Sequence, residues 1–347
     1  MTKISLSYAS SGVDIAAKDE VLSDMERSLK STDKRVLNSL SAFASLFDGK
    51  FPGYKHPVLV LKTEEPGSKQ LLAFKHNRIE SVCQDMINHL INDIAVMGAV
   101  PLAVQDAVIC GKLEKSIVKR IVDGCAAACR AQGCTLTGGE TSEQPGVIPA
   151  GTYILCSNVV GVVEKSKIID GRAIKPGDVV LSVASNGLHT NGYSLVRKLI
   201  EQQPAILRRK IGKESFLDAI LKPHTCYFRA LKGLFGEKGL HGMAHITGSG
   251  IAGNLERILP KTVDARVHLS QLKVLPVFRM IRDAGGVADS EMLRTYNMGA
   301  GLVLVVDPKR AAHIQTHLRK NGHDCSWLGE IVRGTGTVVV DGKLRWQ

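Results

Sequence analysis

The stretch QDMINHLINDIAVMG, residues 84–98, decides how the first half of this 347-residue chain is read. At about 100° per residue, Asp85, Asn88, His89, Asn92 and Asp93 fall within one arc of about 140°. Met86, Ile87, Leu90, Ile91 and Ile94 fill the other face. The spacing predicts a helix with one buried side. Its polar stripe holds no Lys, Arg, Glu or Gln, the long residues with better helix propensity. Short acids, amides and an imidazole hold a hard cation or a sugar hydroxyl at fixed distance. The stripe therefore reads as a site, against the plainer alternative of a solvated face.

Working outward, KTEEPGSK (62–69) lies between the apolar runs 57–61 and 71–74. Two acids, a Pro-Gly turn, a hydroxyl and a lysine suit either a metal-and-phosphate loop or a solvated hairpin tip between strands at 57–62 and 70–75. A helix is expected over 20–46 and another over 80–97, then a strand at 102–110, a helix at 114–132 and a strand at 134–137. A glycine-acid loop within LTGGETSEQPG (136–146) leads to a strand at 152–163. Asp106, in AVQDAVI, adds another short carboxylate.

The charged, turn-rich segment 164–178 marks a boundary, giving domains 1–170 and 171–347. The second half alternates again. Strands are expected at 179–184, 243–246, 265–270, 301–306, 325–331 and 336–345, and helices at 192–202, 214–235, 250–259, 273–284 and 308–321. The expected fold class is α+β, two mixed-sheet α/β-type domains of similar size.

Composition narrows the function classes. At 44% hydrophobic residues and 5% aromatic, this is the make-up of a soluble globular protein, and no run of about 18 apolar residues occurs, so no membrane is expected. With no apolar run at the N-terminus long enough for a signal peptide, a cytoplasmic protein is expected, and the eight cysteines, which form no CxxC pair, read as buried free thiols against zinc ligands. The net charge of +12 is scattered without aromatic neighbours. It suits an enzyme of phosphorylated small molecules better than a nucleic-acid binder.

Three glycine loops carry further chemistry. Gly138-Gly139 let backbone approach a ligand, with Glu140 and Thr141 following at once. SNGLHTNGYSL (185–195) packs His189, Thr190, Asn191 and Gly192 before a helix, whose N–H groups suit an anion. HITGSGIAGN (245–254) places Thr247, Gly248 and Gly250 at the end of a strand. Its GSGIAG is a literal GxGxxG, but the acid Asp264 precedes the next strand instead of closing it, which argues against a dinucleotide fold. No GxxxxGK[ST], HExxH or GxSxG occurs. Glycine loops with short acids are the equipment of phosphoryl transfer from Mg-ATP.

Taken in order, these segments resemble the phosphoribosylformylglycinamidine cyclo-ligase family, the aminoimidazole ribonucleotide synthetases. The matches are SGVDI (11–15), INDIAVMGAVPL (91–102), GKL (111–113), GGETSEQPG (138–146), VGVVEK (160–165), IIDG (168–171), KPGDVVL (175–181), HTNGYSLVRK (189–198), HITGSGI (245–251) and RTYNMGAGLVLVV (294–306).

The resemblance implies a homodimer pairing through its N-terminal domains, with ATP and Mg²⁺ as cofactors and a phosphorylated ribonucleotide as substrate. It implies ATP-dependent closure of the imidazole ring of formylglycinamidine ribonucleotide, with ADP and phosphate released. Position by position, it implies Mg²⁺ ligands at Glu64, Asp85, Asp93, Asp106 and Glu140. ATP would meet Thr63, Gly67, Ser68, Lys69, Asn92, Gly138, Gly139 and Thr141. The ribonucleotide would meet His189, Thr190, Asn191, Gly192, Thr247, Gly248, Gly250 and Asn297. Lys69, Asp93 and His189 would serve catalysis.

Two departures stand out. Where the family usually reads T-D-G-V-G-T-K this chain has TEEPGSK, and His224 follows Pro223 where the family tends to threonine. They motivate two alternatives, a divergent paralogue phosphorylating another substrate and a nucleotide-binding protein without turnover.

Overall fold

The computed structural model describes residues 33–38 and 43–346. Along the first half run β1 (Pro57–Glu64), α1 (Lys69–Lys75), α2 (Ile79–Ala95), β2 (Val100–Cys110), α3 (Lys115–Ala131), β3 (Thr135–Glu143) and β4 (Tyr153–Glu164). The strands form one sheet in the order β1-β4-β2-β3. Its β1–β4 and β4–β2 pairs are antiparallel, and β2–β3 is parallel. A parallel pair needs a crossover, and α3 supplies it.

Strict alternation along β1 sends Val58, Val60, Lys62 and Glu64 inward and leaves Leu59 and Leu61 outside. Helices α2 and α3 cover the inner face. Met86, Leu90 and Ile91 of α2 and Val118, Ile121 and Cys125 of α3 are fully buried there. Burial of each large side chain stabilises the domain by about 1.5–3 kcal/mol.

The second half holds β5 (Val179–Ala184), α4 (Tyr193–Gln202), a short ribbon of β6 (Lys210–Ile211) and β7 (Glu214–Ser215), α5 (Phe216–Ile220) and α6 (Phe228–Lys232). Then come β8 (Leu240–His245), α7 (Gly250–Leu255), β9 (Val263–His268), α8 (Pro276–Gly285), α9 (Asp289–Thr295), β10 (Ala300–Val306), α10 (Pro308–Lys320), β11 (Cys325–Arg333) and β12 (Val338–Asp341). A six-stranded mixed sheet runs β12-β9-β11-β5-β10-β8, and only β12–β9 is parallel within it. Strand β10, AGLVLVV, is buried along its whole length, so both faces of the sheet are covered there.

Several elements differ from expectation. Residues 70–75 are helical, because Lys, Gln, Leu and Ala favour a helix and none is β-branched. KTEEPGSK is therefore a strand-to-helix turn and not a hairpin tip. The helix expected over 214–235 is two short ones, interrupted at Pro223, which lacks an N–H and disfavours helix before it. The glycine-acid loop is strand: β3 continues to Glu143, pairing Gly139 with Asp106. A Cβ on Gly139 would lie 2.0 Å from Asp106 Oδ1, so the glycine serves strand approach there. Of the helix expected over 20–46, the described part forms a bridge between Val36 and Phe47. The rest of that helix, and the SGVDI match, lie outside the described residues. Helix α9 was not anticipated.

Candidate active site between the two sheets

Helix α2 is the floor of the site, and its polar stripe faces the extended segment between α5 and α6. Asn88 Nδ2 donates to the His224 carbonyl at 2.7 Å. Asn92 Nδ2 donates to the Thr225 carbonyl at 2.8 Å, and its Oδ1 accepts from the Tyr227 N–H at 2.9 Å. Asp85 Oδ1 accepts from the His224 N–H at 2.7 Å. Short polar side chains at fixed spacing do hold something here. They hold the backbone of a chain segment more than 130 residues away.

Lys69 completes this interface. Its ammonium donates to Asp85 Oδ1 at 2.8 Å, to the His189 carbonyl at 3.0 Å and to the Lys222 carbonyl at 2.7 Å. All three donors of an ammonium are thereby used. Lys69 and Asp85 are both 0% exposed. Burial lowers the lysine pKa and pushes the Asp85 carboxyl up to about 6, while their mutual contact opposes both shifts. In this structure the Lys69 ammonium is a bolt between the halves, turned away from any open cleft.

Four imidazoles gather above the helix. His89 Nδ1 meets Thr190 Oγ1 at 3.0 Å, His245 Nδ1 meets Asp93 Oδ1 at 2.7 Å, and His245 Nε2 meets His224 Nε2 at 2.9 Å. His189 stacks on His224 with ring centroids 3.8 Å apart. His189 takes a left-handed backbone, φ 61°, a strained conformation that clusters at functional sites. Gly301 admits the ring, since a Cβ there would lie 2.8 Å from His189 Cε1. Burial drives His89 down to about 4, helped by the His245 field and opposed by Asp93 and Glu64. Burial likewise holds His189 and His224 far below the usual histidine value. His89, His189 and His224 are neutral at pH 7.

At the mouth stand Glu64, Lys62 and Asp93. Lys62 Nζ lies 2.9 Å from Glu64 Oε2 and 3.1 Å from Asp93 Oδ2. Burial opposes the Asp93 charge, but the His245 hydrogen bond and nearby cations hold its carboxyl well below the usual range. His89 Nε2 stands 3.8 Å from Glu64 and 3.7 Å from Asp93.

The remaining predicted residues distribute themselves differently. Asp106 is buried within the sheet, pushed up to about 7 by burial. Thr141 pairs with Val108 on the same inner side. Glu140 pairs with Ala107 on the opposite face, away from Asp93. Thr63 also points outward, where its hydroxyl bonds Asn158 Oδ1. Gly67, φ 58°, makes the turn into α1, and Ser68 occupies its N-cap. Gly138 extends β3 with φ 140°. Asn297 is spent inside the fold, accepting from Ser185 Oγ at 3.0 Å and donating to the Gly187 carbonyl at 3.0 Å. Gly192, φ 78°, receives the Tyr296 hydroxyl on its carbonyl at 3.1 Å. Asn191 flanks Gly248, and its Nδ2 is buried without a partner among the described residues.

The structure adds residues that the sequence reading passed over. Asn254 ties the Thr-Gly-Ser-Gly loop of Thr247 and Gly250 by donating to the Gly248 and Gly250 carbonyls at 2.8 and 2.7 Å. Lys62 had a visible signal, because a lysine alternating with Val58 and Val60 must face inward beside Glu64. His245 had none, and His224, noted only as a departure after Pro223, meets it only through the fold.

The five carboxylates implied for Mg²⁺ do not assemble into one ion cage. Asp85 neutralises Lys69, Asp106 lies within the sheet, Glu140 is on the far face, and Lys62 bridges Glu64 and Asp93. Mg²⁺ demands near-octahedral oxygens at about 2.0–2.1 Å, which this arrangement does not provide. Ligand atoms of His189, His224 and His245 come within 4.8 Å of one another. The face-to-face stack of two of those rings keeps their in-plane lone pairs from converging on one ion.

Family models of AIR synthase related proteins match this chain, the N-terminal domain over residues 55–163 and the C-terminal domain over 175–342. A phosphoribosylformylglycinamidine cyclo-ligase of Chromobacterium violaceum is 42% identical over 95% of this chain and 96% of its own. The chain belongs to the phosphoribosylformylglycinamidine cyclo-ligase family. A Bacillus mycoides member is 37% identical over 96% of this chain and 98% of its own. Among solved structures, hydrogenase maturation protein HypE in complex with ATP superposes with a TM-score of 0.67 at 17% identity, covering 93% of this chain and 90% of its own. Thiamine-monophosphate kinase from Stenotrophomonas maltophilia gives 0.67 at 18% identity, covering 94% and 97%. At that identity the likeness speaks for the shared fold of two mixed-sheet domains. Among the described residues, no helix is long and apolar enough to cross a membrane.

Proposed function

We propose that this protein is an ATP-dependent cyclo-ligase that converts formylglycinamidine ribonucleotide to aminoimidazole ribonucleotide, releasing ADP and phosphate. The observation that carries the reading is 42% identity to an enzyme so named over 95% of the chain. The chemistry suits the need. The formyl oxygen attacks the γ-phosphorus and the bond to the β-phosphate oxygen of ADP breaks. An internal nitrogen then forms the C–N bond, phosphate leaves with the former formyl oxygen, and the nitrogen gives up its proton. An amide-like oxygen is a poor leaving group and phosphate a good one, so the transfer makes ring closure feasible.

His189, Thr190 and Asn191 from one half, Thr247 and Gly248 from the same half, and Glu64 and Asp93 from the other border one junction, which we assign to substrate and nucleotide. The net charge of +12 favours such polyanions. Mg²⁺ enters as the counter-ion of the triphosphate. Incubation with ATP, Mg²⁺ and formylglycinamidine ribonucleotide should give ADP only when the ribonucleotide is present, with aminoimidazole product. Nucleotide binding without that turnover would refute the assignment.

The same reading places the enzyme in the cytoplasm, in keeping with eight free cysteines, and makes it a homodimer through the N-terminal sheet. On the outer face of that sheet Leu59 is 54% exposed, Leu61 71% and Ile154 36%, an apolar patch suited to a second copy. The protein should sediment at twice its 37.4 kDa chain mass, and Leu61→Arg should shift it to the monomer. A native monomer, or a variant that remains dimeric, would reject that interface.

A further inference from the structure

Glu64, at the end of β1, and Asp93, on the last turns of α2, bring two carboxylates to one point at the mouth of the site. Carboxylates held together need a counter-charge, which a divalent cation commonly supplies. Here a side chain supplies it. Lys62 Nζ lies 2.9 Å from one and 3.1 Å from the other, while Lys62, Glu64 and Asp93 keep 36%, 24% and 20% of their side-chain surface exposed. A neighbouring imidazole, His245, meets the other oxygen of Asp93 through its Nδ1 at 2.7 Å.

We propose that Lys62 is the resident cation of this cleft, its ammonium standing between Glu64 and Asp93 where a divalent ion would otherwise sit. An ion coordinated by both carboxylates would claim the oxygens that the ammonium now holds, and the two positive charges would repel at contact distance. Ion and lysine are therefore mutually exclusive at this point. The alternation of β1 makes the placement obligatory. With Val58 and Val60 facing the core, Lys62 and Glu64 share that face and reach α2 side by side.

The inference deepens the reading of this cleft as a phosphoryl-transfer site and rests on it for its place in catalysis. Its test uses no substrate, so the two stand or fall separately. Mn²⁺, a paramagnetic probe for Mg²⁺ sites, is titrated into the whole protein without nucleotide and followed by electron paramagnetic resonance. The native chain should bind no stoichiometric ion. Lys62→Ala should gain one Mn²⁺ per chain, at least about tenfold tighter than the native protein, and the added change Glu64→Gln should abolish it. Lys62→Gln, which keeps the length of the stem, repeats the measurement in case the alanine variant does not fold. A native site that is lost on Glu64→Gln would overturn the proposal. So would variants that bind no more Mn²⁺ than the native chain.

Discussion

Lys69→Met will destabilise the protein by about 3–5 kcal/mol, the cost of removing one partner from a fully buried ion pair. The substitution leaves Asp85 with a single hydrogen bond, from the His224 N–H, and leaves the carbonyls of His189 and Lys222 without their shared donor. Urea denaturation measures the loss. Adding Asp85→Asn removes the stranded charge and should recover more than half of it, because the two residues act as a unit. Recovery of stability also separates two roles for the lysine. A folded Lys69→Met/Asp85→Asn protein that turns over normally would confine Lys69 to bolting the halves together. Turnover at least tenfold slower in that stable background, about 1.4 kcal/mol, would return the lysine to the phosphate chemistry that the resemblance implies.

The second large effect depends on pH. His89 has a folded pKa of about 4, below the ordinary unfolded value of about 6.5. A depressed imidazole contributes its full stability above the unfolded value and loses it as pH falls towards the folded one, because only the unfolded chain takes up the proton. Between about pH 6.5 and pH 4.5 His89 alone should therefore remove about 2–3 kcal/mol. His89→Gln keeps a group able to reach Thr190 and deletes the titration. Unfolding free energies of both proteins, measured near pH 7 and near pH 4.5, should differ by that much less at the acid end. An equal difference at the two pH values would show that His89 titrates like an exposed histidine. Asp85 and Asp106 run the other way, since their folded pKa values are raised to about 6 and about 7. Both are present in both proteins, so they cancel in this comparison.

Much of the fold was readable from local pattern. The two-sided helix over α2, the alternation of β1 and the apolar run of β10 each follow from a few neighbouring residues, whose spacing dictates which face is buried. The ordered segments likewise pointed to the family before any coordinates. Residues 70–75 and 214–235 misled for reasons that are physical. An apolar run of four has no period long enough to tell helix from strand, and a single proline divided what looked continuous.

The site was only half legible. Chemistry-bearing residue types could be picked out, and His189, Thr190, Asp93 and Glu64 do converge. What each of them touches was beyond reach, because Asp85, Asn88 and Asn92 find their partners in residues 224–227 and His245 finds His224 from another strand. The amino-acid order alone determined that a row of compact polar groups would lie along one side of a helix, since that is a matter of angle per residue. Whether the row would grip an ion or a passing backbone was decided by packing. Contact energies fall off within a few ångströms, and only the folded chain sets which distant groups come that close.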